Sequence, residues 1–354
     1  GASMDAIARP APDEINRARI ENPKMRERDL AAQLGISEAE LVAARCGDGV
    51  VRLDARVGDL LNGLGSVGEG MALTRNESAV HEKIGIYANV TVGSQHALVL
   101  NKDIDLRIFP SVWAHGFAVE KRDGEEIRRS LQFFDAAGEA VHKVHLRPGS
   151  NVYAYQKLVE DLASPSQSRT VRLQEREPEE DDDSRPVEVN ELRRRWQAMK
   201  DVHQFFGMLK ALKLHRHRAL ELVGEDYAWP LDREAVAALL NLAANDGLPI
   251  MAFVGNRGCI QIHTGPVANI KPMGPWLNVM DETFHLHLRL DHIAEAWAVR
   301  KPTRDGHVTS VEAFDADRNL IIQFFGERHE GEEERKDWRF LAENLPRIAR
   351  STAA

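Results

Sequence analysis

An imidazole set among aromatic and aliphatic residues at helical spacing is the first combination in this sequence that could do chemistry. Between Glu191 and Gly224 the chain reads ELRRRWQAMKDVHQFFGMLKALKLHRHRALELVG. Leu192, Trp196, Met199, His203 and Phe206 recur at three- and four-residue intervals, which predicts one shared helical face. Val202, Phe205, Leu209 and Leu212 widen it. The pattern predicts a helix of about six turns, a break near Leu214 and a second helical run. His203 then either projects from a hydrophobic wall, as an axial ligand to haem iron does, or sits in the core as a hydrogen-bonded histidine.

Other constellations are weaker. Gly63-Leu64-Gly65-Ser66-Val67-Gly68 has dinucleotide-loop spacing, but it follows the helical-looking Val57–Leu64 and leads toward a strand. That is the reverse of strand–turn–helix, so it reads as an ordinary loop. His285 and His287 share one side of a strand, with His292 nearby, and His142 and His145 form a second pair. Neither set has the spaced ligands of a zinc site, so packing or surface roles are expected. His215 and His217 fall at the helix break and are either solvent-facing or alternative ligands. Arg107, in IDLRIFP, points to the opposite strand face from Leu106 and Ile108. Its guanidinium either pairs with Asp103 or Asp105 or takes an anion. Lys301, Gln323 and Arg328 read as strand-end or turn residues, and on their own as solvent residues.

The elements that must position these groups follow from composition and pattern. The chain has 354 residues, 43% of them hydrophobic, enough for two domains with a sizeable core. No apolar run of about 18 residues predicts a membrane span. A net charge of −9 argues against non-specific binding to nucleic acid or anionic membrane. Cys46 and Cys259 form no disulfide framework or metal pair by spacing, and a reducing cytoplasm is expected. Gly1-Ala2-Ser3 ahead of Met4 reads as the remnant of a removed tag, with no secretory leader pattern after Met4.

Residues 12–45 predict short helices: a run through Leu34 stopped by Gly35, then a helix capped by Ser37 and Glu40. This has the outline of a helix-turn-helix without a basic recognition face. Residues 78–146 read as antiparallel strands, 151–162 as a helix. Glu175 to Asp183, EREPEEDDD, with seven acids and one arginine, reads as a solvated linker. The pattern then repeats. Leu53-Asp54 matches Leu231-Asp232, Phe117–Lys121 matches Trp297–Lys301, and Phe134-Asp135-Ala136 matches Phe314-Asp315-Ala316, at offsets of 178 to 180. The expected fold is α+β: a tandem duplication, with two large antiparallel β-sheets stacked and helix pairs or trios flanking. The expected division is an N-terminal repeat over 4–163, an acidic linker over 164–188, and a C-terminal repeat over 189–350 that carries the His203 helix.

DVHQFFGMLK, GCIQIHTGPV, DETFHLHLR, AWAVRKPTRDGHVTSVEAFD, IIQFFGERHEG and IDLRIFPSVW, in order and through both repeats, closely resemble the bacterial haem-utilisation proteins of the HemS/ChuS/PhuS type. The similarity runs from about Arg19 to Pro346. The resemblance implies a bound haem b, iron protoporphyrin IX, in a cleft between the repeats. It implies His203 as axial iron ligand and Arg107 approaching the opposite face. Basic and polar residues matching Arg216, Lys301, Gln323 and Arg328 would meet the propionates and haem edge. Phe325 stands where some relatives carry tyrosine, so a hydrogen bond to haem or distal water is missing. Arg107 then either holds a distal water or stabilises iron-bound peroxide, which separates carrier from enzyme.

Two functions follow from the resemblance. One is a cytoplasmic carrier that accepts imported haem and traffics it for iron release, with a haem uptake transporter and a haem oxygenase as partners. The other is a haem-degrading enzyme that opens the porphyrin with oxygen and a reductant. A third reading, from the residues alone, is a binding module for a non-haem acidic small molecule, with His203 in the core.

Overall fold

The computed structural model describes residues 9–176 and 186–348. Gly1-Ala2-Ser3 and residues 177–183 of the acidic run lie outside the described residues. The first repeat runs α1 (Pro12–Glu21), α2 (Glu27–Leu34), α3 (Glu38–Ala43), β1 (Val50–Leu53), α4 (Val57–Val67), β2 (Gly70–Arg75), β3 (Ala79–Gly85), β4 (Val90–Val92), β5 (Ala97–Leu100), β6 (Asp105–Ile108), β7 (His115–Asp123), β8 (Glu126–Phe134), β9 (Ala140–Leu146) and α5 (Val152–Leu162). The second repeats the order: α6 (Val189–Gln197), α7 (Gln204–Leu212), α8 (Arg216–Val223), β10 (Ala228–Leu231), α9 (Ala235–Asp246), β11 (Ile250–Gly255), β12 (Cys259–Gly265), β13 (Ile270–Met273), β14 (Trp276–Met280), β15 (Phe284–Arg289), β16 (Glu295–Thr303), β17 (Gly306–Phe314), β18 (Leu320–Gly326) and α10 (Lys336–Glu343).

Local signals set the helix boundaries. Gly35 ends α2 in the left-handed region at φ 68°, where a Cβ is unwelcome. Ser37 and Glu40 form a reciprocal capping box at α3. The Asn151 side chain caps α5 by accepting from Ala154 N–H. Every residue of α3 is buried, so the helix-turn-helix outline offers no face to a DNA groove. The glycine-rich stretch is not the expected loop: α4 continues through Gly63 and Gly65 to Val67. A Cβ at Gly63 would lie 2.5 Å from Leu158 Cδ1, so close packing of α5 on α4 explains that glycine.

Among the described residues the strands form two nine-stranded sheets, in the orders β1-β7-β8-β9-β2-β3-β15-β14-β13 and β10-β16-β17-β18-β11-β12-β6-β5-β4. Each takes six strands from one repeat and three from the other. The ladders are antiparallel, as in β7–β8 with Ala118 opposite Leu131, β16–β17 with Ala298 opposite Val311, and β12–β6 with Ile260 opposite Arg107.

By packing, the chain divides into two compact units that trade short segments. Asn76–His81 belongs with the second unit, and Asn256–Gln261 with the first. Paired asparagines stand at the crossover turns. Asn76 Oδ1 accepts from the N–H groups of Ser78 and Ala79, while its amide donates to the carbonyls of Gly255 and Ile321. Asn256 repeats this with Gly258 and Cys259 N–H, and with the carbonyls of Arg75 and Val141. These bonds satisfy backbone groups that a turn between strands leaves unpaired.

The first unit's core gathers Leu60, Leu64, Leu106, Ile108, Leu131, Phe133 and Leu158, together with Cys259. The second gathers Leu239, Leu240, Ile250, Leu286, Phe324 and Trp338, and its helix trio has a core of its own around Trp196. In the first unit the segment after α5 is fixed to its surroundings: Ser164 N–H donates to Arg52 O, Gln167 bonds Arg52 in both directions, and Arg176 pairs with Asp135 at 3.0 Å. No described helix is long and apolar enough to cross a membrane.

Candidate functional site

The long helix expected from Glu191 onward is broken. α6 ends at Gln197 and α7 starts at Gln204, with a turn over 198–203. Asp201 makes the break: its Oδ1 accepts from His203 N–H at 2.8 Å and its carbonyl from Gln204 N–H at 3.1 Å. Gln204 answers by accepting from Lys200 N–H at 2.8 Å. A short acceptor competing for the backbone in this way starts a new helix rather than continuing the old one.

The new start resets the faces. Leu192, Trp196 and Met199 of the α6 run pack with Phe205, Met208 and Leu209 of α7 and with Leu220, Val223 and Trp297. His203 and Phe206, expected on that same face, point the other way; the His203 side chain is 81% exposed and Phe206 71%. His203, Phe206, Gly207 and Lys210 then form one exposed strip at i, i+3, i+4 and i+7. The buried-core reading of His203 does not hold.

Beneath that strip lies a charged cluster. Phe205 is buried, and over its ring stand Arg216 Cζ at 5.0 Å and Lys301 Nζ at 4.5 Å. Both cations converge on Glu312 of β17: Arg216 Nη1 donates to Oε1 at 2.8 Å and Lys301 Nζ to Oε2 at 3.1 Å. Ser310 Oγ adds a bond at 2.7 Å. Burial alone would raise the Glu312 carboxyl, but Lys301 and Arg216 hold it down at about 2. Burial lowers the Lys301 ammonium, with Glu312 opposing. Lys301 is therefore not the strand-end solvent residue expected; it is a buried residue within β16, opposite Val308. Arg216 opens α8 and keeps 23% of its side chain exposed.

Gln323 of β18 stands opposite both Glu312 and Phe253, so it shares their sheet face and lies within the strand rather than at its end. Phe325, two residues on, packs against Phe253 with ring centroids 5.3 Å apart, and Lys301 Nζ lies 5.5 Å from its ring. Arg328 follows β18, its Nε donating to Glu332 O at 2.7 Å. The second unit thus assembles Arg216, Lys301, Gln323 and Phe325 on one sheet–helix seam, with Arg328 in the loop just past it.

Arg107 belongs to the first unit. Leu106 and Ile108 are buried on the opposite face of β6, and Arg107 pairs with Asp105 at 2.6 Å, leaving 31% of its side chain exposed. His217 departs from expectation: it is buried, with Nε2 hydrogen-bonded to Glu295 at 2.5 Å. It is already engaged, so it is neither a solvent residue nor a spare ligand. His215 caps α8 by accepting from His217 N–H. His142 is buried between Thr74 Oγ1 at 2.9 Å and Tyr87 OH at 2.7 Å. His287 bonds Asn278 and His292 bonds Ser78. Among the described residues no group of three His, Cys, Asp or Glu side chains could hold a metal ion.

Sequence reasoning missed Asp201 and Glu312. A signal for Glu312 existed: an acid between Val311 and Ala313 of a strand points away from both, toward whatever that face meets. The helix break had only the weak signal of an aspartate two residues before the imidazole.

One imidazole offers a metal one coordination position. That suits a metal that brings its remaining ligands, as a porphyrin iron does, and the neighbouring apolar ring and cations suit an apolar disc with carboxylates. A haemin-degrading HemS/ChuX domain matches residues 35–162 and again 213–345. The chain is 42% identical to the hemin transport protein HmuS of Yersinia pestis, over 91% of this chain and 93% of that one. Holo-PhuS, a heme-binding protein from Pseudomonas aeruginosa, superposes with a TM-score of 0.93 at 47% identity, covering 96% of this chain and 100% of that one. ChuS, an E. coli heme oxygenase, superposes at 0.84 and 38% identity, covering 92% and 98%. This chain belongs to the family of haemin-degrading HemS/ChuX-domain proteins.

Proposed function

We propose that this protein binds haem b on the exposed strip of α7, with the His203 imidazole as axial ligand, accepts imported haem in the cytoplasm and passes it on for iron release. The observation that carries the reading is the solvent-facing imidazole beside an exposed phenylalanine, at the edge of a helix trio with one cation on α8 and one on β16 beneath it. Phe206 and the backbone of Gly207 supply an apolar rest for a flat ligand. Arg216, half-buried, would hold a propionate through its forked guanidinium, and Lys301 would add its charge. Gln323, Phe325 and Arg328 would contact the edge of the ligand, and Arg107 would take the distal role that the resemblance implies. Bound haem supplies the iron and a redox-active macrocycle; the protein supplies the imidazole, the charges and the shielding from water. A haem uptake transporter and a haem oxygenase are the partners this role requires.

Titration with hemin tests the reading. Wild type is expected to give a saturable Soret band, and His203→Ala to shift it and weaken binding by about tenfold or more. An unchanged spectrum and affinity would remove His203 as ligand. Asp105→Ala and Arg107→Ala separately test the distal role through the ferric spectrum.

The resemblance to an E. coli heme oxygenase favours a second reading, reductant- and oxygen-dependent opening of the ring. The haem complex in air with ascorbate and catalase separates the two. Loss of the Soret band with a tetrapyrrole product supports the enzyme; a persistent band supports the carrier.

A further inference from the structure

Glu312 answers two cations with one carboxylate, and both cations bear on the helix that carries His203. Glu312 is fully buried on β17, with Arg216 at 2.8 Å, Lys301 at 3.1 Å and Ser310 at 2.7 Å. Arg216 and Lys301 in turn stand over the Phe205 ring at 5.0 and 4.5 Å. Phe205 is two residues beyond His203, inside the first turn of α7. A ring held between two fixed cations and the trio's core has one seat, and that seat sets the rotation of α7 about its axis. Rotation of α7 decides where the imidazole points.

The first repeat supplies a built-in contrast. The position matching Glu312, 180 residues earlier, is Gln132, beside Ser130 as Glu312 is beside Ser310. Gln132 Nε2 donates to Ser130 Oγ at 3.0 Å, so a neutral amide serves that strand. The sheet itself does not demand a carboxylate there. The first unit does hold a buried charge triad, Glu38 with Arg75 at 2.6 Å and Lys143 at 3.3 Å, but it ties α3 to the strands and carries no exposed imidazole.

We propose that Glu312 is a positioning residue for haem ligation: by pinning Arg216 and Lys301 over the Phe205 ring it fixes the orientation of α7 and so of the His203 imidazole. The proposal rests on His203 as axial ligand and assigns that site its internal support.

The experiment compares Glu312→Gln, Glu312→Asp, Ser310→Ala and the matched control Glu38→Gln, each as full chain titrated with hemin and followed by thermal unfolding. Both Gln variants lose stability. Only Glu312→Gln is expected to shift the ferric Soret and spin-state bands and weaken binding by about tenfold. Glu312→Asp restores much of the wild-type spectrum, and Ser310→Ala, which leaves the charges intact, shifts it slightly in the same direction. If Glu312→Gln does not fold, the Ser310→Ala and Glu312→Asp spectra decide. Wild-type spectra in every folded variant, or an equal shift in Glu38→Gln, overturn the positioning role. His203→Ala separates the two failures: an inert His203→Ala defeats the ligand assignment, whereas an effective one beside an inert Glu312→Gln defeats only the positioning.

Discussion

The N-cap of α2 is Arg26 and the N-cap of α7, its counterpart in the second repeat, is His203. The buried triads beside the two trios are reversed in polarity. In the first unit the helix gives the acid, Glu38, and the strands give Arg75 and Lys143. In the second the strand gives the acid, Glu312, and the helix gives Arg216. Each carboxyl would be raised by burial but is held at about 2 by its two cations. A clamp between helix trio and sheet is thus common to both repeats, so the clamp alone is not the functional mark. What distinguishes the second is an exposed imidazole on its helix trio, at the start of α7, and cations placed where they touch that helix.

The sharpest contrast between the units lies in acid. His142 of β9 is buried in the first unit and His145 half-buried, and desolvation pushes them down to about 3 and about 4. Ile322 and Phe325 occupy the matching positions in β18. A histidine depressed by folding takes its proton more readily when unfolded, so stability is intact above the unfolded value and falls as pH drops below about 6.5. Together the two are expected to cost on the order of 5 kcal/mol by pH 4. The paired glutamates contribute in both units alike, and only below about 4.5, as pH falls toward their folded values. Between pH 6.5 and 4.5, hydrogen exchange should therefore rise in β9 before β18. Trp113, whose ring centroid is 5.8 Å from His142, gives a fluorescence readout for the same event. His307 of the second unit is also lowered, mainly by burial, but keeps 30% of its side chain exposed. Loss of protection in β18 first would break the contrast; His142→Ile should flatten the acid slope.

A second contrast is how each repeat's last helix closes its core. α5 lays Leu158 over Gly63, whereas α10 lays the fully buried Trp338 over Gly326, with Trp338 Nε1 donating to Thr309 O at 2.9 Å. Trp338→Ala is expected to cost about 4 kcal/mol and Leu158→Ala about 3. Denaturant unfolding measures both. A larger loss from Leu158 would reverse the order and point to better relaxation around α10.

The duplication, the strands and the capping box at Ser37 were legible because each rests on local periodicity or a short-range cap. The strand exchange was not: β3 and β12 match as repeats, and nothing in either segment says which unit it packs with. Nor was the orientation of His203. Periodicity over 191–214 assumes one helix, and Asp201 resets the phase within a single turn. Lys301 misled because a lysine among Arg300 and Pro302 looks like a surface strand end; its partner Glu312 lies across the β16–β17 ladder, 11 residues away.

The smallest expected effects concern the caps, and they ask whether equal energies have equal consequences in the two trios. Ser37 caps α3 through its bond from Glu40 N–H at 3.2 Å, and its own N–H donates to Glu40 Oε2 at 2.7 Å. Ser37→Ala should cost about 1 kcal/mol and leave the hemin spectrum unchanged, because α3 carries nothing that reaches a ligand. Asp201→Ala removes the acceptor for His203 N–H and should cost about 1 kcal/mol as well. Here the lost bond is on the backbone of the proposed ligand, so the first turn of α7 frays at the imidazole itself. The expected signature is a broadened or shifted Soret band with a modest loss of affinity at nearly the same thermal stability as Ser37→Ala. Identical spectra for the two variants would mean that the Phe205 seat alone holds the imidazole in place, and that the Asp201 turn only ends one helix and begins the next.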